Sequence, residues 1–215
     1  MATIKMGFQM KKLALLAAVA FTAFNAQADS ITGLYNTGIG STTDSHYTVD
    51  GHASYITSNG SFPLDHWFAN NDTSKWITIS DQQGASYDPS SNGTYTWTLN
   101  FNIGSQYDAA TASFSGHFGA DNSAKAYLNG QEIGYTGGFG TNDFSSFLTN
   151  GGFRAGNNEF SVVVTNYAQN GGNPTGLRVE FDQSHVAAVP EAETYAMMLA
   201  GLGLLGVVAR RRKAK

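Results

Sequence analysis

Hydrophobic and polar residues alternate with a period of two along most of the middle of this chain. In GTYTWTLNFNI, Tyr95, Trp97, Leu99, Phe101 and Ile103 share one face, and Thr94, Thr96, Thr98, Asn100 and Asn102 the other. That spacing predicts a half-buried strand. ATASFSGHFGA repeats it, with Ala112, Phe114, Gly116, Phe118 and Ala120 inward and Thr111, Ser113, Ser115 and His117 outward. AKAYLNG, NEFSVVVTN and GLRVEFD supply three more strands; in the last, Leu177, Val179 and Phe181 face inward while Arg178, Glu180 and Asp182 face outward. HYTVDGHASY and WITIS read as weaker strands. No helical periodicity interrupts the run from Asp29 to Val189.

Turn signals separate these segments: Asn59-Gly60, Asn92-Gly93, Asn129-Gly130, Asn150-Gly151 and Gly171-Gly172. Asn and Gly tolerate the positive φ of tight hairpins, so AYLNGQEIG is the best hairpin in the chain. Many short antiparallel strands with Gly-rich turns predict an all-β fold, an antiparallel two-sheet β-sandwich or jelly roll, over residues 29–182. Residues 183–189 read as a hinge.

Both ends differ in kind. MKKLALLAAVAFTAFNAQA, from Met10, has a basic start at Lys11 and Lys12, an apolar stretch from Leu13 to Phe24, and Ala26-Gln27-Ala28 as a small-residue cleavage motif. This predicts a helical signal peptide over residues 1–28, cut by signal peptidase between Ala28 and Asp29. At the other end, eighteen mostly apolar residues from 192 to 209 are marginally long enough to span a bilayer as a transmembrane helix. Arg210, Arg211, Arg212 and Lys213 open the basic tail of residues 210–215, and such a cluster keeps its end cytoplasmic as a membrane stop.

Charge narrows the partners. Between Asp29 and Val189 there are four Lys and Arg against fourteen Asp and Glu, a net charge of about −10. Nucleic acid is excluded as a partner, because phosphate binding needs positive charge. The chain has no cysteine, which excludes disulfides, thiol chemistry and Cys-based metal sites.

Candidate chemistry is thin. No Gly-x-Ser-x-Gly elbow occurs, no Ser/His/Asp set has a recognisable setting, and no catalytic residue is assigned. His46, Asp50 and His52 would share one strand face and so offer metal ligands, though an exposed polar face accounts for them more simply. Trp67, in a loop, and Trp76, on the side of WITIS opposite Ile77 and Ile79, are the candidate glycan-stacking residues; capping of the core ends is the alternative. Asp121 and Asn122 are weak candidates for a structural calcium, with a simple Asn/Asp turn as the alternative. No other cofactor is expected.

Two resemblances rest on particular residues. GLYNTG, DSHYTV, SKWITI, ASFSGHFGADNSAKAYLNGQEIG, GFRAGNNEFSVVVTN and NPTGLRVEF resemble a galactose-binding-like jelly-roll domain of exported bacterial proteins. VPEAETYAMMLAGLGLLGVVARRRK resembles the PEP-CTERM sorting tail, although Ala192 stands where that family has a second proline. The tail resemblance covers residues 189–215 and implies processing at Val189, Pro190 and Glu191 by exosortase, a membrane protease-transferase. It further implies passage through the inner membrane to the cell surface or extracellular matrix of a Gram-negative, exopolysaccharide-making bacterium. A plain single-span anchor is the alternative. The function expected is a non-enzymatic surface or matrix protein that binds polysaccharide; the alternatives are an adhesive protein acting through protein contacts and, further off, a glycan-active enzyme.

Overall fold

A computed structural model describes residues 28–190 and 192–213. The signal-peptide reading of residues 1–27 lies outside the described residues. Two units are distinct: a β-sheet unit, Ala28–Ala187, and the tail from Ala188 onward.

The sheet unit holds eleven strands: β1 (Ala28–Asp29), β2 (Thr43–Val49), β3 (His52–Ile56), β4 (Ile77–Thr78), β5 (Gly93–Ile103), β6 (Tyr107–Asp121), β7 (Ser123–Leu128), β8 (Gln131–Thr136), β9 (Ser145–Thr149), β10 (Gly156–Asn166) and β11 (Gly176–Ala188). They form one continuous sheet in the order β8-β7-β10-β5-β2-β3-β4-β11-β6-β9, with β1 paired to β11. The sheet curls over itself, so strands distant in that order meet face to face. Phe114 of β6 packs edge-on against Phe101 of β5 and Phe160 of β10, at 6.3 and 6.0 Å between ring centroids. The two ends of the sheet also close on each other. A Cβ on Gly134 of β8 would lie 2.8 Å from Cβ of Phe147 in β9, an approach only glycine permits. The result is an all-β, jelly-roll-like sandwich, nearly a barrel.

The alternating residues build its core as expected. Trp97, Leu99, Phe101, Ile103, Ala112, Phe114, Phe118, Phe160, Val162, Val164, Leu177 and Val179 are all buried in one cluster. Five Phe rings from β6, β9, β10, β11 and the 150s loop surround one another edge to face, the arrangement their quadrupoles favour. Asn129 and Gly130 take φ of +50° and +85° between β7 and β8, the hairpin expected.

Two expectations are corrected, and one strand carries no signal in the sequence. HYTVDGHASY is not one strand: Asp50 and Gly51, at φ +47° and +78°, turn it into the β2–β3 hairpin. An Asp-Gly pair between apolar runs favours this turn as strongly as Asn-Gly does. His46 and His52 therefore sit on different strands. The 183–189 hinge is mostly strand, since β11 continues to Ala188. Ala28 and Asp29 hold it there by pairing with Ala187 and Val186, and Val186 is buried. Finally, β9 carries no alternation in sequence, because buried Phe147 adjoins exposed Leu148.

One segment outside the strands shapes the surface. Residues 30–38 run as a strap between β11 and β2. The Ile31 amide donates to Ser184 Oγ at 2.9 Å, the Phe181 amide to Asn36 Oδ1 at 2.7 Å, and the Val179 amide to Thr37 Oγ1 at 3.0 Å. On the other side, the Tyr47 hydroxyl donates to the Tyr35 carbonyl at 2.9 Å.

The tail unit contains α1, Ala192–Lys213, 22 residues that include Arg210, Arg211, Arg212 and Lys213. Its apolar side chains Met197, Leu199, Leu204 and Val207 are exposed. Among the described residues no helix is long and apolar enough to cross a membrane. Glu193 and Thr194 at the start, and Gly201, Gly203 and Gly206 within, dilute the apolar stretch.

Candidate functional site

The two tryptophans expected to present an open face do not. Trp76 is 0 % and Trp67 4 % exposed, so neither indole offers a surface to a sugar in this structure. They pack against each other, tilted by 39° with ring centroids 4.5 Å apart, in a second apolar cluster with Leu64, against which Phe68 and Phe139 pack. The cause is the 57–76 loop. It folds back over the outer side of the sheet, burying residues that alternation places away from the main core. Both indole N–H groups are used internally: Trp76 donates to the Phe68 carbonyl at 2.8 Å and Trp67 to Asp121 Oδ2 at 2.9 Å.

That bond also alters the calcium reading. Asp121 is buried beneath Trp67, and Asn122 Oδ1 accepts the Tyr167 amide at 2.6 Å. Asp121 Oδ2 and Asn122 Oδ1 are thus both engaged within the protein. Burial pushes the Asp121 carboxyl up to about 7, with the Trp67 hydrogen bond pulling weakly the other way. Among the described residues no three His, Cys, Asp or Glu side chains gather as a metal site.

Arg178, expected outward, is 1 % exposed. It does point away from the core, but the same loop covers it. Its Nη1 donates to the Ala69 carbonyl at 2.6 Å, Nη2 to Glu180 Oε1 at 3.0 Å, and Nε to Ser74 Oγ. Its guanidinium lies 4.7 Å from the centre of the Phe68 ring. Burial lowers its pKa, and Glu180 offsets part of that. Sequence places Arg178 beside Glu180 on one strand face but cannot supply Ser74 and Ala69, which come from a loop more than a hundred residues away.

The open surface lies beside the strap. A groove of about 480 Å3 is lined by Thr32, Gly33 and Tyr35 from the strap and by Asn100, Asn102 and Asn157 from β5 and β10, with Phe101 beneath. Gly33, at φ +90°, makes the close approach: a Cβ there would sit 3.1 Å from Cβ of Phe101. Asn102 and Asn157 are directly opposed in register, and Asn102 Nδ2 donates to Asn157 Oδ1 at 3.0 Å. Tyr35 stacks on His46 at 3.6 Å and 10° between planes. Of these, Asn100 and Asn102 are visible in sequence as the polar face of a strand. Tyr35 and Asn157 are not, since only register and the strap bring them there.

The processing residues fall in two places. Ala28 and Asp29 are in β1. Val189 and Pro190 follow β11 without regular structure and are exposed. Glu191 lies outside the described residues.

Residues 188–213 match the family of the PEP-CTERM protein-sorting motif. No curated protein matches the chain. Among solved structures, the chain is similar to an FMN-binding β-glucuronidase from Facaelibacterium prausnitzii L2-6, at 18% identity over 72% of this chain and 23% of that one, with a TM-score of 0.33. It is also similar to a family 35 carbohydrate binding module from an environmental isolate, at 13% identity over 76% and 99% with a TM-score of 0.28. A third is the CBM36-1 domain of a multidomain xylanase from the hindgut metagenome of Trinervitermes trinervoides, at 11% identity over 67% and 99% with a TM-score of 0.27. The chain spans less than a quarter of the glucuronidase. Likeness this distant speaks to neither ligand nor activity.

Proposed function

We propose that this is an exported, non-catalytic protein of the bacterial cell surface or extracellular matrix. On this reading an exosortase-type membrane enzyme processes it at Val189-Pro190-Glu191, and its sandwich binds glycan. One observation carries the reading: the sorting motif occupies residues 188–213, beginning at the last residue of β11. The motif implies export.

The chemistry of the join supports processing. Val189 precedes a proline, which pushes it out of the α region toward an extended form. Exposed, extended backbone is what a protease cleft takes. On this reading the apolar stretch of α1, which falls short of a bilayer span by its own composition, engages the inner membrane during export and keeps the motif beside it. The arginines stop transfer, since each cation at a bilayer centre costs about 2.5–3.5 kcal/mol on insertion scales. A permanent anchor would need the helix and the arginines but gives Pro190 and Glu191 no role.

The test places one tag within the sandwich and another after Lys215, and follows both in the native host. Processing yields a mature form with the internal tag alone. Pro190→Ala with Glu191→Ala then makes the full-length form accumulate in the membrane. Two tags that stay together in the parent chain reduce the tail to an anchor.

A further inference from the structure

The groove beside the strap has a composition that selects one kind of ligand. Its side chains are two aromatic rings, Tyr35 and the underlying Phe101, the Thr32 hydroxyl and three primary amides, with no carboxylate or basic side chain among the lining residues. That is unusual on a unit with a net charge of about −10. Glu159 is opposed to Asn100 in register and His46 stacks on Tyr35, but neither is among the lining residues, so phosphates and carboxylates find no countercharge within the groove.

The hydrogen-bonding groups are also unspent. Among the described residues, none bonds to the Asn100 amide, to Asn102 Oδ1 or to Asn157 Nδ2. The one bond between Asn102 and Asn157 fixes the pair, so their remaining donor and acceptor are held ready on neighbouring strands. A side-by-side donor and acceptor on a rigid sheet suits the vicinal hydroxyls of a pyranose.

Tyr35 supplies the complementary apolar surface. One face of its ring is covered by His46, yet the residue is 40% exposed. The face opposite His46 is the one a ligand would use. The strap also holds its backbone, through Tyr47, so little order is lost on binding. The second large groove differs: it is lined by Asp182 and has no exposed aromatic.

We infer that the groove formed by Tyr35, Asn100, Asn102 and Asn157 is a subsite for a neutral pyranose unit of a polysaccharide, with the sugar stacked on Tyr35 and its hydroxyls bonded by the amides. This rests on the proposed glycan-binding role and gives it a place, one that Trp67 and Trp76 do not provide.

The test uses the full-length chain, purified in mild detergent, and its retention on immobilised galactomannan, xylan, β-glucan and dextran, with alginate as the acidic probe. At least one neutral polymer is retained in preference to alginate. Tyr35→Ala and the pair Asn102→Ala with Asn157→Ala each weaken retention by about five-fold or more, the loss of one stacking or polar contact set. Asn102→Asp, which keeps shape and adds a charge on an exposed strand face, weakens it similarly. Tyr135→Ala, an exposed tyrosine of β8, leaves it unchanged. If the parent binds a neutral polymer and the Asn102 variants bind equally well, the subsite is wrong while the glycan-binding role stands. If alginate is preferred, the neutral class is wrong. If the parent retains none of these polymers, the role and the subsite fall together.

Discussion

Asp121 should make the stability of the sandwich depend on pH in a direction opposite to most carboxylates. Its carboxyl is buried under the Trp67 indole and titrates near 7, against 3.8 for the unperturbed group. Below pH 3.8 the group is neutral in both folded and unfolded chains and makes no difference. Between 3.8 and 7 the folded state keeps its proton while the unfolded state loses it, so stability falls as pH rises. Above 7 the loss is complete. At 1.36 kcal/mol per pKa unit, the full loss is about 4 kcal/mol, with a slope near −1.4 kcal/mol per pH unit in the middle of the range. Asp121→Asn removes the titration but keeps an oxygen to accept the Trp67 N–H bond. The two chains should therefore differ little at pH 4. The variant should gain on the parent through pH 7 and level off near 4 kcal/mol at pH 8. Urea unfolding of residues 29–188, followed by tryptophan fluorescence at pH 4, 5.5, 7 and 8, measures this, since all three tryptophans lie in the sandwich. Other carboxylates cancel in the difference. A difference that stays flat from pH 4 to 8 would refute the argument, and with it the view that Asp121 folds neutral.

Arg178→Ala should destabilise the sandwich by about 3–5 kcal/mol in the same urea assay, because it strands the mostly buried Glu180 carboxylate. Gly116→Ala should cost about 1–3 kcal/mol, as its Cβ would fall 2.2 Å from the Glu180 carbonyl, which the sheet holds in place. Gly151→Ala, whose Cβ meets nothing within 4 Å, should be nearly neutral by the same measurement. N-terminal sequencing of the exported protein should begin at Asp29; another first residue would displace the cleavage site.

The sequence by itself determined the sheet's inner face and the nature of the tail. Alternation is a local property, so Trp97, Leu99 and Phe101, or Phe114 and Phe118, declare their side without knowledge of partners. The Asn129-Gly130 turn is equally local, because two consecutive positive φ angles are a demand on those two residues alone. The tail is read from three adjacent features within residues 188–213. Period-two alternation says which side of a strand a residue occupies, but not what covers that side. Trp76 therefore looked available for a ligand and Arg178 looked solvent-facing, and the 57–76 loop buried them both. The groove shows the converse. Asn102 meets Asn157 across 55 positions of chain, and Tyr35 reaches them only because the strap is tied to β11 and β2. Register and loop placement are set by long-range packing, whose energy belongs to pairs of segments and to neither one alone. Which polar faces stayed open to solvent was decided by the folded chain as a whole.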